Sequence, residues 1–199
     1  MTQSSESPPR AALRPDLPIP GELESRERIA RMLRVDHAGE YGAKRIYQGQ
    51  LTVLRKSSSA TSAEAVAAID HMAEQEQGHL TVFGELLVER RVRPTVLLPL
   101  WHLAGFGLGV ATAALGEKAA MACTIAVEEV IDQHYADQIT QLGKSEPELA
   151  ATLEKFRLEE LEHRDTAVSS GGQHSPFTTA ITSVVRLGSK AAIFLSQRI

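Results

Sequence analysis

The chain has 199 residues, 43% of them hydrophobic, with 21 Lys and Arg against 25 Asp and Glu, a net charge of −4 and one cysteine. This apolar content builds a sizeable core and excludes an intrinsically disordered chain, and the dispersed acidic balance excludes a binder that works by neutralising nucleic-acid phosphates. Cys123 alone excludes an intrachain disulfide framework and any cysteine-based zinc or iron–sulfur site.

Residues 1–21 carry five prolines and several small polar residues. They contain no apolar stretch of the roughly 7–15 residues that a secretory signal needs. Glu6 and Asp16 speak against a mitochondrial presequence. The segment reads as a disordered Pro-rich leader, followed by one domain over residues 22–199.

Helical periodicity runs from Glu22 to about Lys56 and is broken by Ser57, Ser58 and Ser59. Thr61 or Ser62 can cap a second helix reaching about Arg91, closed by Pro94. Thr95–Gly116 then has 22 residues without Asp, Glu, Lys or Arg, long enough to cross a bilayer of about 30 Å hydrocarbon thickness. Pro99, His102 and four glycines weaken a continuous lipid-exposed helix. Three readings compete: a buried core segment, an interfacial segment dipping into one leaflet, and a true span. Arg90, Arg91 and Arg93 precede the segment, where they could meet anionic headgroups. A helix follows from about Leu115 to Leu142, with Gly143 as its stop. Ser145, Pro147 and Glu148 start another, to about Val168. Ser169–Gly172 is a loop, and Pro176–Gln197 makes a last helix. Four long helices and two apolar accessory segments give an all-α bundle.

Two Glu-x-x-His pairs stand out, Glu76/His79 and Glu160/His163. Side chains three apart on a helix lie about one turn along and on neighbouring azimuths, so each pair can reach one ion. Two such pairs among seven histidines is weak evidence alone. Their placement strengthens it, because each falls on a long helix that follows another carrying a glutamate in a small or apolar setting. These glutamates are Glu40 and Glu128, which lie 36 and 32 positions before Glu76 and Glu160.

The order Glu…ExxH…Glu…ExxH is the donor set of a four-helix, carboxylate-bridged dinuclear metal site. Four carboxylates and two imidazoles offset most of the charge of two divalent ions, and imidazole suits iron. The alternative is a set of solvated helix faces with ordinary ion pairs, against which the apolar run Ala122–Val127 weighs. Glu129 lies about 100° round the helix from Glu128, so only one of the two points at the site. His134 and Tyr135 lie near the face of Glu128, where they could donate supporting hydrogen bonds or handle protons, or simply pack. Asp36 and His37 could support Glu40. His71, His102 and His174 read as ordinary residues, and Cys123 as a small buried hydrophobe.

The segments RVDHAGEYGAKRIYQGQ, EQEQGHL, MACTIAVEEVIDQHYADQI and RLEELEHRD resemble the demethoxyubiquinone hydroxylase family of ubiquinone biosynthesis, from about Arg28 to the C-terminus. The resemblance implies a ferritin-like four-helix bundle with additional apolar membrane-facing segments and a non-haem di-iron centre. It implies O2-dependent hydroxylation of a polyprenyl demethoxyubiquinol ring, with NADH as the electron source. Carried over by motif, the ligands of the two iron ions are Glu40, Glu76, His79, Glu128, Glu160 and His163. His134 and Tyr135 match the family's HY pair beside the metal and become the catalytic residues. Phe194 stands where the family often has Tyr or Trp, so a hydroxyl-dependent role is not expected there.

The family is peripheral on membranes, which favours the interfacial reading of Thr95–Gly116. The expected location is the cytoplasmic face of a bacterial inner membrane, or the matrix face of the inner membrane in a mitochondrion. Expected partners are the membrane surface, a lipid-binding accessory protein and other ubiquinone-biosynthesis enzymes. A homo-oligomer is compatible, and no nucleic acid is expected. Neither GFGLG nor GEYG follows a strand, so any NADH contact is non-Rossmann. On this reading Leu108→Asp weakens membrane binding more than iron loading. The rivals are another ferritin-like di-iron oxidase or ferroxidase, and a non-catalytic membrane-surface scaffold.

Overall fold

The computed structural model describes residues 22–57 and 60–199, and every regular element among them is helical. The expected leader, residues 1–21, lies outside the described residues. In chain order the helices are α1 (Glu22–Leu54), α2 (Ala60–Glu89), α3 (Leu98–Ala114), α4 (Glu117–Leu142), α5 (Pro147–Ser169) and α6 (Thr178–Ser196), with one 3-10 turn at Gly172–His174. The four long helices and two shorter apolar ones are as expected, and the boundaries have local causes. Gly116, at φ 107°, ends the apolar segment before α4, so the helix expected from Leu115 begins at Glu117. Gly143, at φ 54°, stops α4 and donates its N–H to the Ile139 carbonyl at 3.1 Å. Pro147 opens α5, where its missing N–H costs nothing. Thr61 and Ser62, the expected caps, fall within α2 (Ala60–Glu89).

Short connections fold α1 back on α2 and α4 back on α5, and these two hairpins make the bundle. One core cluster gathers Leu33, Phe83, Tyr135, Leu153 and Phe156, and another gathers Tyr47, Ile69, Met72, Met121 and Ala167. Between these apolar layers each long helix contributes acidic or histidine side chains. Glu40 separates Leu33 from Tyr47 on α1, and Glu76 with His79 separates Met72 from Phe83 on α2. Glu128 and the Glu160/His163 pair do the same on α4 and α5.

Helix α3 lies against α1 at backbone distance. A Cβ on Gly109 would strike the Ile46 carbonyl oxygen, and one on Gly49 would strike that of Phe106. The glycines expected to weaken a lipid-exposed helix therefore include two, Gly105 and Gly109, that are buried in a helix–helix contact. Tyr41 and His102 share a 2.6 Å hydrogen bond across this contact, and the Arg45 guanidinium sits 4.8 Å from the Phe106 ring centre. The opposite face is open, with Leu103 71% exposed and Leu100 also outward. Helix α6 packs on the bundle through Ile181 and Val185 and turns Val184, Leu187 and Phe194 outward. Trp101 Nε1 donates to Ser196 Oγ at 3.1 Å, joining α3 to α6.

No helix among the described residues is long and apolar enough to cross a membrane, which removes the spanning reading of Thr95–Gly116. One side of α3 is buried against α1, as the core reading expects, and the other side is open and apolar. Leu108 is on the inner side, packed against Ile46 and Ala126's cluster, so it is not a probe of the open face.

Candidate metal centre

Six side chains from four helices converge in the layer between the two core clusters. Glu40, Glu76, His79 and Glu160 offer ligand atoms that all lie within 4.8 Å of one another, and so do Glu76, Glu128, Glu160 and His163. Glu76 and Glu160 belong to both groups, so each could serve two ions at once. All six residues are buried. His79 Nδ1 lies 3.0 Å from Glu160 Oε1 and 3.3 Å from Glu40 Oε2. His163 Nδ1 lies 3.0 Å from Glu160 Oε2 and 3.5 Å from Glu76 Oε1. In both rings Nδ1 faces the carboxylates and Nε2 faces outward.

Buried polar atoms are normally hydrogen-bonded, yet Glu40 Oε2, both oxygens of Glu76, His79 Nδ1, Glu128 Oε2 and Glu160 Oε1 make no hydrogen bond, close as His79 Nδ1 comes to the Glu40 and Glu160 carboxylates. These orphans all aim at the same small volume. Hard oxygen donors and imidazole nitrogens in this number fit two divalent first-row ions such as iron.

Electrostatics carry the same message. Burial pushes Glu76 and Glu128 well above the usual carboxylate range, and the neighbouring carboxylates push them further. Burial disfavours charge on His79, but the Glu160 and Glu40 carboxylates outweigh it and lift the imidazole to about 10. Burial also opposes charge on Glu160, yet His163 and His79 hold it down at about 2. Without metal the cluster holds protons, and a metal ion would replace them.

The sign of the pH effect follows. Glu76, Glu128 and His79 bind protons more tightly folded than unfolded. Their stabilisation is complete below the ordinary values of 4.5 for the carboxyls and 6.5 for the imidazole and is lost as pH climbs through the raised values of the folded chain. Glu160 contributes the opposite way, above 4.5 and lost toward about 2. Metal-stripped protein should therefore lose Tm between about pH 5 and 9, whereas metal-loaded protein should not. Thermal melts of both forms across that range check this, and a stripped Tm that rises with pH would contradict it.

The hydroxyls of Tyr47 and Tyr135 donate to Glu128 and Glu40. Burial first, and then the carboxylates, raise both phenols well above their usual value, so both donate as neutral phenols. Tyr47 was missed from the sequence. It lies seven residues after Glu40, as Tyr135 lies seven after Glu128, and this repeat could have found it. Glu159 and Gln75 were missed too. They precede the two ExxH pairs and meet the opposite histidines, His79 at 2.7 Å and His163 at 3.0 Å.

His134 stands apart from the cluster, one-fifth exposed, with Nε2 3.4 Å from Asp36 Oδ1 and 2.9 Å from Gln138 Nε2. Gln138 also donates to Asp36 at 2.7 Å. Burial raises Asp36 above the usual carboxylate range, and burial lowers His37. Glu129 turns away to Arg186, and His71 and His174 are on the surface. Cys123 is buried, its thiol pushed up to about 12 by burial.

A cavity of about 340 Å³ runs from the outside to this cluster. Its walls are small and apolar, with Ala43 and Ile46 from α1, Leu108 from α3, Val127 from α4, and Val185 and Ile193 from α6. Its polar residues include Asp36, Glu40, His134 and Tyr135. The cavity lies between the two helices that carry the open apolar face.

The family model described as "Ubiquinone biosynthesis protein COQ7" matches residues 27–196. A protein of Rhodospirillum rubrum named 3-demethoxyubiquinol 3-hydroxylase is 50% identical over 181 residues, covering 91% of this chain and 83% of that protein. A bovine protein named NADPH-dependent 3-demethoxyubiquinone 3-hydroxylase, mitochondrial, is 48% identical, covering 88% of this chain and 80% of its own length. A Saccharomyces cerevisiae protein named 5-demethoxyubiquinone hydroxylase, mitochondrial, is 38% identical over 186 residues, 86% of this chain and 78% of its own.

Proposed function

Because the chain belongs to the ubiquinone biosynthesis protein COQ7 family, we propose that it hydroxylates the ring of a demethoxyubiquinol in ubiquinone biosynthesis. The observation that carries this reading is an apolar cavity that ends on a carboxylate of a buried Glu/His cluster. Glu40, Glu76, His79, Glu128, Glu160 and His163 would hold two iron ions, with Glu76 and Glu160 shared. Bound there, the ions would supply O2 activation. One oxygen atom enters the ring in place of hydrogen, and the other leaves as water with two electrons from a reductant. A reduced nicotinamide is the proposed source. The name of the bovine relative specifies NADPH, and NADH is the alternative that the same assay separates.

The chain's own residues have three tasks. The apolar walls from α1, α3, α4 and α6 exclude water and hold the quinol ring against Glu40, with the isoprenoid tail leaving between α3 and α6. Tyr135 holds Glu40 in place as a neutral donor. His134, in the cavity wall with Asp36 behind it, takes or returns the proton of a ring hydroxyl.

The open apolar face would rest on a membrane, at the cytoplasmic side in a bacterium or the matrix side in a mitochondrion, with Arg91 and Arg93 toward anionic headgroups, whereas Arg90 is taken up by a two-point pair with Glu146 at 3.0 and 3.1 Å. Leu103→Asp and Leu187→Asp replace side chains that are 71% and 73% exposed. Each should weaken binding to anionic phospholipid vesicles roughly tenfold, leaving iron content unchanged. Vesicle flotation checks this, and unchanged binding would assign the face to an accessory protein or a second copy.

The deciding assay is iron per chain, then product analysis after adding a short-chain demethoxyquinol, reduced nicotinamide and air. Iron with a ring-hydroxylated product supports the proposal. Iron with oxidase activity alone would favour another di-iron oxidase, and absence of iron would favour a scaffold.

A further inference from the structure

The two hairpins present matching residues to the cluster: Glu40, Glu76 and His79 from one, and Glu128, Glu160 and His163 from the other. Each terminal glutamate takes a tyrosine hydroxyl from the opposite hairpin. Each histidine is held at Nε2 by the residue that precedes the glutamate of the opposite ExxH pair. In this last pairing the halves differ in charge. His79 meets the Glu159 carboxylate at 2.7 Å, and His163 meets the Gln75 amide oxygen at 3.0 Å.

We infer that Glu159 is a positioning residue that makes the metal position between Glu40 and His79 the tighter of the two. The inference rests on the two-metal reading above. An Nε2–H that donates to an acceptor fixes the tautomer and leaves Nδ1 bare, and in both rings Nδ1 faces the cluster. Both partners therefore orient their histidine, so orientation does not separate the two positions. Charge does. A carboxylate acceptor strengthens the hydrogen bond and makes the imidazole the more electron-rich ligand. Glu159 is 26% exposed and Lys155 Nζ lies 3.7 Å from its other oxygen, which weakens its field without cancelling it at a 2.7 Å contact. The tighter position is also the one on the cavity side, since Glu40 lines the cavity.

The test is anaerobic titration of the metal-stripped full-length chain with Co(II), followed by its d–d absorption. Wild type should fill in two steps separated by roughly tenfold or more in Kd. Crystals grown with one equivalent should show anomalous density beside Glu40 and His79. Glu159→Gln keeps the shape and an acceptor oxygen but loses the charge. It should weaken the first step by about 10–100-fold and merge the two. The double variant Glu159→Gln/Gln75→Glu should restore two steps with the first ion beside His163, an exchange that a merely structural role would not produce. Two ions bound by Glu159→Gln with the wild-type isotherm would overturn this inference alone, as would a first wild-type ion beside Glu128. A wild-type chain that binds no ion would overturn the two-metal reading as well.

Discussion

On the proposed two-iron assignment, Glu160→Ala should empty both metal positions at once, taking iron from about two per chain to near none and abolishing ring hydroxylation. Glu160 is fully buried, and its two oxygens each lie 3.0 Å from a different histidine, Oε1 from His79 and Oε2 from His163. It belongs to both donor groups, so no rearrangement within one half replaces it. Glu128→Ala is the contrasting variant. It removes a ligand from the His163 group alone, so the group of Glu40, Glu76, His79 and Glu160 stays whole and about one ion per chain should remain. Iron analysis beside far-UV circular dichroism separates loss of metal from loss of fold. A folded Glu160→Ala protein that keeps two irons would sink the shared-carboxylate assignment, and equal iron in the two variants would sink the distinction between shared and terminal ligands.

The second large effect is expected from Gly39→Leu. Gly39 lines the cavity one residue before Glu40, and a Cβ built there meets nothing within 4 Å. Glycine inside a helix costs about 0.5–1 kcal/mol relative to a good helix former, so the substitution should leave Tm unchanged or raise it. The leucine would occupy the space above Glu40 that the quinol ring needs. We expect kcat/KM to fall by roughly 10²-fold, the scale set by misplacing a reacting group by about 1 Å. Iron content should stay at the wild-type value. Unchanged kcat/KM would mean that substrate reaches the cluster by another route.

The number and type of helices were legible because caps and breakers sit where periodicity stops. Pro94, Gly143 and Pro147 are each read locally. The positions now converging between the core layers were also legible, through a spacing that returns Glu40 to Glu76 and Glu128 to Glu160 across one hairpin turn. The α3–α1 contact was not. Gly105 and Gly109 read as weakness in a helix until Gly42, Ile46 and Gly49 are seen opposite, and that pairing spans more than fifty residues. Leu108 was misread for the same reason, because a segment apolar all round has no periodicity to say which side is covered. Glu159 was hidden by composition, since one glutamate in RLEELEHRD looks like any other until its partner on α2 is known.

The two hairpins each carry half of the donor set, and neither half closes around an ion by itself. Two bound metal ions would therefore act as a cross-link between segments distant in sequence, joining Glu40 to Glu128, which lie 88 positions apart. Fastening such distant points removes much of the freedom of the unfolded chain. In a chain with a single buried cysteine, that is the service a disulfide performs in secreted domains. Chelation should then loosen the seam between the hairpins, so that backbone amides facing the seam, protected in the metal-loaded chain, gain exchange with solvent.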